Sequence, residues 1–267
     1  MKYTQIQPGS PLHAYIRCFG LLESDHIQNK TKTFKIIADG CPGLIFQEDA
    51  NSFLDKDNNK LPQLFLHGVT TSHSQKISLG SYCNIGVYLQ PNAIKSIFGI
   101  DANELTDRYV DLSSIIKNDL ADQLLHESNI EKRIAIISHF IYQQLAKNKH
   151  QKSAKAAYAI AKINTDSTDG LDKIQSALNL SERSLERIFK SDVGISPKLF
   201  FRICRFQAAL DDIRKQASGS FTHTAHRHSY ADQSHFIREF KEFAGMIPKH
   251  FLSRANEQAL NFPEWDL

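Results

Sequence analysis

Two stretches decide how this chain is read: Leu185-Glu-Arg-Ile-Phe-Lys-Ser-Asp-Val-Gly-Ile-Ser-Pro-Lys-Leu-Phe200 and Phe236-Ile-Arg-Glu-Phe-Lys-Glu-Phe-Ala-Gly-Met-Ile-Pro-Lys-His-Phe251. They align without a gap at an offset of 51, with Arg187/Arg238, Phe189/Phe240, Lys190/Lys241, Gly194/Gly245, Pro197/Pro248, Lys198/Lys249 and Phe200/Phe251 identical. One structural unit is therefore used twice. Ser181 and Asp232 are helix N-caps. Leu185, Ile188 and Phe189 mark the core face of the first helix, and Phe236 and Phe240 that of the second. The opposite faces carry Arg183, Arg187 and Lys190, and Ser234, Arg238 and Lys241, at matching intervals. Gly194 and Gly245 stop the helices in the left-handed conformation, and Pro197 and Pro248 start the next ones.

Upstream of each copy is a shorter helix, Leu171 to Leu178 capped by Asp169, and Phe221 to His228. A short helix, a tight turn and a basic amphipathic helix make a helix-turn-helix, whose second helix enters the major groove. Lys198 to Lys215 has no Gly or Pro and reads as a connecting helix of about 27 Å. That length can set two recognition helices in successive major grooves, about 34 Å apart. A solvated basic face is the plain alternative for one such helix; two matched copies argue against it.

Charge agrees with this placement. Residues 1–154 hold 16 Lys/Arg against 15 Asp/Glu, residues 155–255 hold 16 against 11, and the last twelve residues carry three acids and no base. The positive excess sits on the repeat, which implies a polyanionic partner. Cys18, Cys41, Cys83 and Cys204 have no metal spacing and read as reduced, buried thiols of a cytoplasmic protein. No apolar run approaches a membrane span, and no secretory signal is visible.

The N-terminal part reads as β-rich. Phe34–Ala38, Leu44–Phe46, Leu64–His67, Lys76–Leu79 and Ile85–Leu89 are short strand candidates, with Asp49–Lys60 as a hairpin loop. Ala93–Phe98, closed by Gly99, is a short helix. Asp111–Lys149 reads as two helices, the second with an apolar stripe at Ile130, Ile134, Ile137, Ile141 and Leu145. That stripe suits either packing on the barrel or dimerisation. Lys147–Lys155 is polar, with few apolar residues crossing it, and marks a domain boundary.

The fold class expected is α+β: a small barrel or cupin-like N-terminal domain with helices, and an all-α C-terminal domain of two helix-turn-helix units joined by a long helix. The expected divisions are 1–115 (companion domain), 116–152 (helical linker, dimerisation candidate), 153–255 (DNA-binding domain) and 256–267 (acidic tail).

Over residues 160–255 the chain resembles the AraC/XylS family of bacterial transcription regulators. Ser181-Glu-Arg-Ser-Leu-Glu-Arg-Ile-Phe-Lys190 and Tyr230-Ala-Asp-Gln-Ser-His-Phe-Ile-Arg-Glu-Phe-Lys241 are similar to that family's two motifs, and Arg205-Phe-Gln-Ala-Ala209 to its linker helix. The similarity of residues 1–115 to the cupin-like companion domain rests on Ala38-Asp-Gly-Cys-Pro-Gly-Leu-Ile-Phe46 and the helix after Pro91. The resemblance implies a bipartite DNA-binding domain beside one that senses or dimerises. Gln175 departs from the Ala usual in the first helix of such a unit, and Ser229 from the usual turn Gly; both imply looser packing.

Position in the motif makes Arg183, Arg187, Ser234, His235 and Arg238 the base readers, with Gln233 a reader or phosphate ligand. Lys190, Lys241 and the helix N-caps, Ser181 among them, suit phosphates, and Ser184 belongs to the same DNA-binding set. Glu186 is placed to accept from cytosine N4 or to pair with Lys190 at i+4, the pair being the favoured reading. The expected partners are double-stranded DNA, a small-molecule effector in the N-terminal domain, a second copy of the chain and, for an activator, RNA polymerase. Neither a cofactor, a metal nor a catalytic residue is expected. The alternatives are an architectural DNA protein, or a cupin-like metal enzyme fused to a DNA-binding domain. For the latter, His67 and His73 lack a completing Glu, and His223, His226 and His228 do not share a helix face.

Overall fold

The computed structural model describes residues 2–24, 31–50, 52–150, 152–165, 170–215, 220–254 and 264–265. The first half folds as β1 (Lys2–Ile6), β2 (Ile16–Ser24), β3 (Lys32–Ile36), β4 (Gly43–Gln47), β5 (Phe53–Leu54), β6 (Leu64–His67), β7 (Ser74–Ser78) and β8 (Tyr82–Leu89). α1 (Ile94–Phe98), β9 (Tyr109–Asp111), α2 (Leu112–Ile115), α3 (Leu120–His126) and α4 (Ile130–Lys147) follow. The second half is α5 (Ala154–Thr165), α6 (Leu171–Leu178), α7 (Glu182–Asp192), α8 (Pro197–Lys215), α9 (Phe221–Arg227), α10 (Gln233–Ala244) and α11 (Pro248–Arg254), ending in β10 (Glu264–Trp265).

Two antiparallel sheets face each other, one of order β1-β2-β8-β4-β6-β9 and one of order β10-β3-β7-β5. The period-2 rule sorts the large sheet into two faces. Phe19, Leu21, Leu44, Phe46, Ile85, Val87 and Leu89 turn outward onto the helices around α1, α3 and α4. Gly20, Leu22, Ile45, Gln47, Asn84, Gly86 and Tyr88 turn inward, towards the second sheet. The apolar stripe of α4 serves the first packing: Ile137 and Ile141 are fully buried against the outer face, with Ile130, Ile134 and Leu145 partly buried there. Arg133 of α4 is also buried, and its Nη2 donates to Glu48 Oε1 at 2.9 Å.

Several boundaries differ from the sequence reading. β1 and β2 carry no clean alternation; β2 lies between β1 and β8, with helices on one face and the second sheet on the other, so its pattern is not period-2. The segment read as a hairpin loop contains β5. Asp111–Lys149 forms three helices rather than two, because Asn118 and Asn129 open new ones: Asn118 Oδ1 accepts from Leu120 N and Asn129 Oδ1 from Lys132 N. The segment after the polar boundary is the unpredicted helix α5, whose Ala156, Ala159, Ile160 and Ile163 are buried. α6 is preceded by Gly170, with no side-chain cap; Asp169 lies outside the described residues, as does most of the acidic tail. Glu264 and Trp265 of that tail pair antiparallel with Phe34 and Thr33 of β3.

The boundary is also less clean than expected. Ile37, Ala38 and Val69, from loops of the β-domain, are buried in the core of the helical domain beside Phe200, Ile203 and Phe243. The backbone joins in: Ala38 N donates to Phe243 O (3.2 Å), and Gln207 Nε2 donates to Ala38 O (2.7 Å). Gly40, at φ +70, lies against Phe200, where a Cβ would come within 3.2 Å of the ring.

Candidate nucleic-acid interface and barrel cavity

The helical domain contains the repeat in three dimensions. Ser181 caps α7 by accepting from Ser184 N, and Asp232 caps α10 by accepting from His235 N at 2.7 Å. Leu185 and Phe189 of α7, and Phe236, Phe240 and Phe243 of α10, are buried. Gly194 follows α7 at φ +97 and Gly245 closes α10 at φ +76. Pro197 and Pro248 are the first residues of α8 and α11. α8, 19 residues long, joins the units.

Ser181, Arg183, Arg187 and Lys190 on the first unit, and Gln233, Ser234, Arg238 and Lys241 on the second, are exposed; Ser184 and His235 are partly so. Four of these groups are engaged within the protein, Ser181 Oγ donating to Ser184 Oγ at 3.0 Å. Gln233 Oε1 accepts from Thr222 Oγ1 at 2.6 Å. His235 stands edge-on to the Tyr230 ring, with Nε2 4.0 Å from Glu239 Oε2. The expected Glu186–Lys190 pair is not made within 4.0 Å; both side chains stay in water, where such a pair gains little. Lys190 is thereby left for another anion. His223 and His226 are exposed, whereas His228 Nε2 and Arg227 Nη1 both contact Asp212 of α8, each at 3.0 Å.

One residue that orients α10 escaped the sequence reading. Glu239 is 2% exposed, at the position equivalent to the apolar Ile188. It accepts from Arg202 Nε at 2.9 Å and from Arg205 Nη2 at 2.8 Å, both on α8. Arg205 also lies over the Tyr230 ring, 4.1 Å from its centroid. A carboxylate at a core register of the repeat was the available signal: a buried acid requires a cation.

The β-domain grips both recognition helices at their stop glycines. Thr106 Oγ1 donates to Gly194 O at 2.7 Å, and a Cβ on Gly194 would fall 2.9 Å from Ala102 O. Lys95 Nζ donates to Ser191 Oγ (2.6 Å) and pairs with Asp101 (2.7 Å). On the second unit, the His73 ring lies where a Cβ of Gly245 would be (2.6 Å), and its Nδ1 is 3.0 Å from Glu242 O. Lys35 Nζ donates to Gly245 O at 3.4 Å. The same domain therefore holds the C-terminal ends of α7 and α10 and leaves their N-terminal halves open.

Between the two sheets lies a cavity of about 550 Å³, lined by Phe34, Phe53, Phe65, Tyr3, Tyr88, Tyr109 and other residues including His73. Two inward glycines help make the space: a Cβ on Gly20 would meet the Tyr3 and Tyr88 rings at 2.9 Å, and one on Gly43 would meet His67 Nε2 at 2.6 Å. His67 is held neutral, its pKa lowered to about 4 by burial; Nδ1 is 3.1 Å from Gly68 O. Burial works against ionisation of Asp55, but hydrogen bonds from Asn59, Tyr109 and Asp57 outweigh it and bring its pKa down to about 2. Cys18 and Cys41 are buried and Cys83 and Cys204 partly so, all as free thiols. Burial pushes the Cys41, Cys83 and Cys204 thiols up to about 12, which keeps them protonated and unreactive.

Residues 174–254 match the helix-turn-helix domain family, and residues 4–111 match a family described as a domain of unknown function, DUF6597. The HTH-type transcriptional regulator GbdR of Pseudomonas aeruginosa is 26% identical over 145 residues, covering 48% of this chain and 39% of GbdR. The chain thus matches about two fifths of that curated relative's length. ToxT from Vibrio cholerae, at 11% identity, has the same fold with a TM-score of 0.50, covering 95% of this chain and 98% of ToxT. Residues 174–254 thus form a helix-turn-helix domain, set beside a β-rich domain in a fold shared with ToxT.

Proposed function

We propose that this chain, a β-barrel joined to an AraC-type double helix-turn-helix, is a sequence-specific DNA-binding transcription regulator working in the cytoplasm. It acts by binding, with no catalytic step. α7 and α10 enter successive major grooves. Arg183 and Arg187, and Ser234, Arg238 and the partly engaged His235, read base edges; Arg to guanine is the commonest such contact. Lys190, Lys241, Ser181, Ser184 and Gln233 meet phosphates and set the register. The barrel cavity takes a small effector. His73 both lines that cavity and packs on Gly245, so occupancy is felt at the end of α10. Dimerisation through the outer side of α4 and contact with RNA polymerase belong to the same reading.

The observation that carries this reading is the equivalence of the two units: matched basic faces lie open at one end of each helix, while the β-domain holds the other end. Footprinting of the full chain on genomic DNA across a salt series tests it. The expected result is a discrete site spanning about two helical turns, with affinity falling steeply as salt rises. Uniform protection of all sequences would instead make the chain an architectural DNA protein.

A further inference from the structure

The cavity contains two polar groups without a hydrogen-bonding partner among the described residues. Lys76, on β7, points its ammonium over the Tyr109 ring, 4.9 Å from the centroid. Among the described residues it makes no ion pair. The nearby carboxylate, Asp55, is already taken: it accepts from Asp57 N, Asn59 N and Asn59 Nδ2, and from Tyr109 Oη at 2.9 Å. The neighbouring His67, neutral here and cationic if protonated, supplies no negative charge. The second group is Asn84 on β8. It is 8% exposed, and its Oδ1 has no hydrogen-bond partner. Its neighbour Gln47 is spent on Leu61 O and Pro62 O.

Register sets these groups apart. On β4, Gly43 pairs with His67 at one end and Gln47 pairs with Asn84 at the other. Four residues of strand place the two ends about 13 Å apart. His67 pairs in turn with Tyr109, beneath the Lys76 ammonium. Aromatic side chains, Phe34, Phe53 and Phe65 among them, line the space between. A half-buried cation and an unsatisfied amide oxygen each raise the free energy of the empty cavity, and each is relieved by a complementary ligand atom.

We propose that the cavity binds a small organic acid with an aromatic or similarly compact apolar body, its carboxylate on Lys76 and a hydroxyl or N–H at its other end donating to Asn84 Oδ1. This rests on the reading of the cavity as an effector site and names the ligand class. A cationic ligand is disfavoured because Asp55, the buried acid among the described residues lining the cavity, is saturated. A purely apolar ligand leaves both groups unsatisfied.

Calorimetric titration of the full chain with four probes tests the assignment: 4-(4-hydroxyphenyl)butanoate, its methyl ester, 4-phenylbutanoate and tyramine. The hydroxy acid is expected to bind at least about tenfold more tightly than the ester, and more tightly than the acid lacking the hydroxyl. Lys76→Met should abolish the acid-over-ester preference while Lys76→Arg keeps it. Asn84→Leu should abolish the hydroxyl preference alone. Ester or tyramine binding as tightly as the acid overturns the ligand class but leaves the cavity a binding site. If none of the four binds, and none of a broader panel of neutral apolar compounds does either, the effector reading itself falls. The wild-type comparisons decide the matter even where a variant fails to fold.

Discussion

Replacing Glu239 by Ala tests what fixes the second recognition helix. The carboxylate is 2% exposed and accepts from Arg202 and Arg205, which leave α8 one turn apart. Without it, Arg202 keeps Glu242 and substantial solvent, with 31% of its side chain exposed. Arg205, at 11% exposed, keeps only the Tyr230 ring and a long contact to Ser229 O. Removing one partner of a buried pair costs about 3–5 kcal/mol. With Arg202 partly solvated, the lower end applies, about 3 kcal/mol, or a fall of roughly 6–12 °C in Tm for a domain of this size. Urea denaturation of the full chain, as a double-mutant cycle with Arg205→Met, isolates the pair. The double variant Glu239→Leu/Arg205→Met should recover most of the loss, because no uncompensated charge stays buried. A cost below about 1 kcal/mol for Glu239→Ala, or strict additivity in the cycle, would refute the view that this cluster holds α10 on α8.

Ser229, at φ +56, occupies a left-handed turn position, so Ser229→Gly should stabilise the chain by roughly 1 kcal/mol, read as a raised denaturation midpoint at unchanged slope; an unchanged midpoint means the strain is absent. His67 has a folded pKa of about 4 against about 6.5 unfolded, so the unfolded state takes its proton first as pH falls. Its contribution, on the order of 3 kcal/mol, is complete above pH 6.5 and lost between 6.5 and 4; His67→Gln should flatten the stability profile in that window, and a parallel profile would show that His67 is solvated. Arg187→Ala and Arg238→Ala should each cost about 1–3 kcal/mol on the specific site and relax one base preference, whereas Lys190→Ala and Lys241→Ala should weaken all sequences alike and lower the salt slope by about one; binding-site selection that finds the two effects exchanged places the reading face wrongly. A fragment of residues 153–267 should melt below the helical domain of the whole chain, because it lacks Ile37, Ala38 and Val69; equal melting would show that these contacts contribute nothing.

The helical half was legible because its information is local. Caps at Ser181 and Asp232, stop signals at Gly194 and Gly245, and a 3.6-residue stripe are all written within a few residues, and the repeat states them twice. Strands Gly43–Gln47, Leu64–His67 and Tyr82–Leu89 could be placed roughly for the same reason. What depends on distant partners could not be read. Glu239 sits at a core register that only two arginines on another helix make tenable. β2 is covered from both sides by elements elsewhere in the chain. Ile37, Ala38 and Val69 read as barrel residues, yet they complete the core of the other domain. Local propensity and spacing thus determined the two helix-turn-helix units and the face they expose. Only tertiary packing decided that the barrel holds both units by their C-terminal ends, and that Lys76 and Asn84 face an aromatic cavity. Burial and pairing across 34 to 169 residues of chain are properties of the folded surface, and no short window of sequence contains both partners.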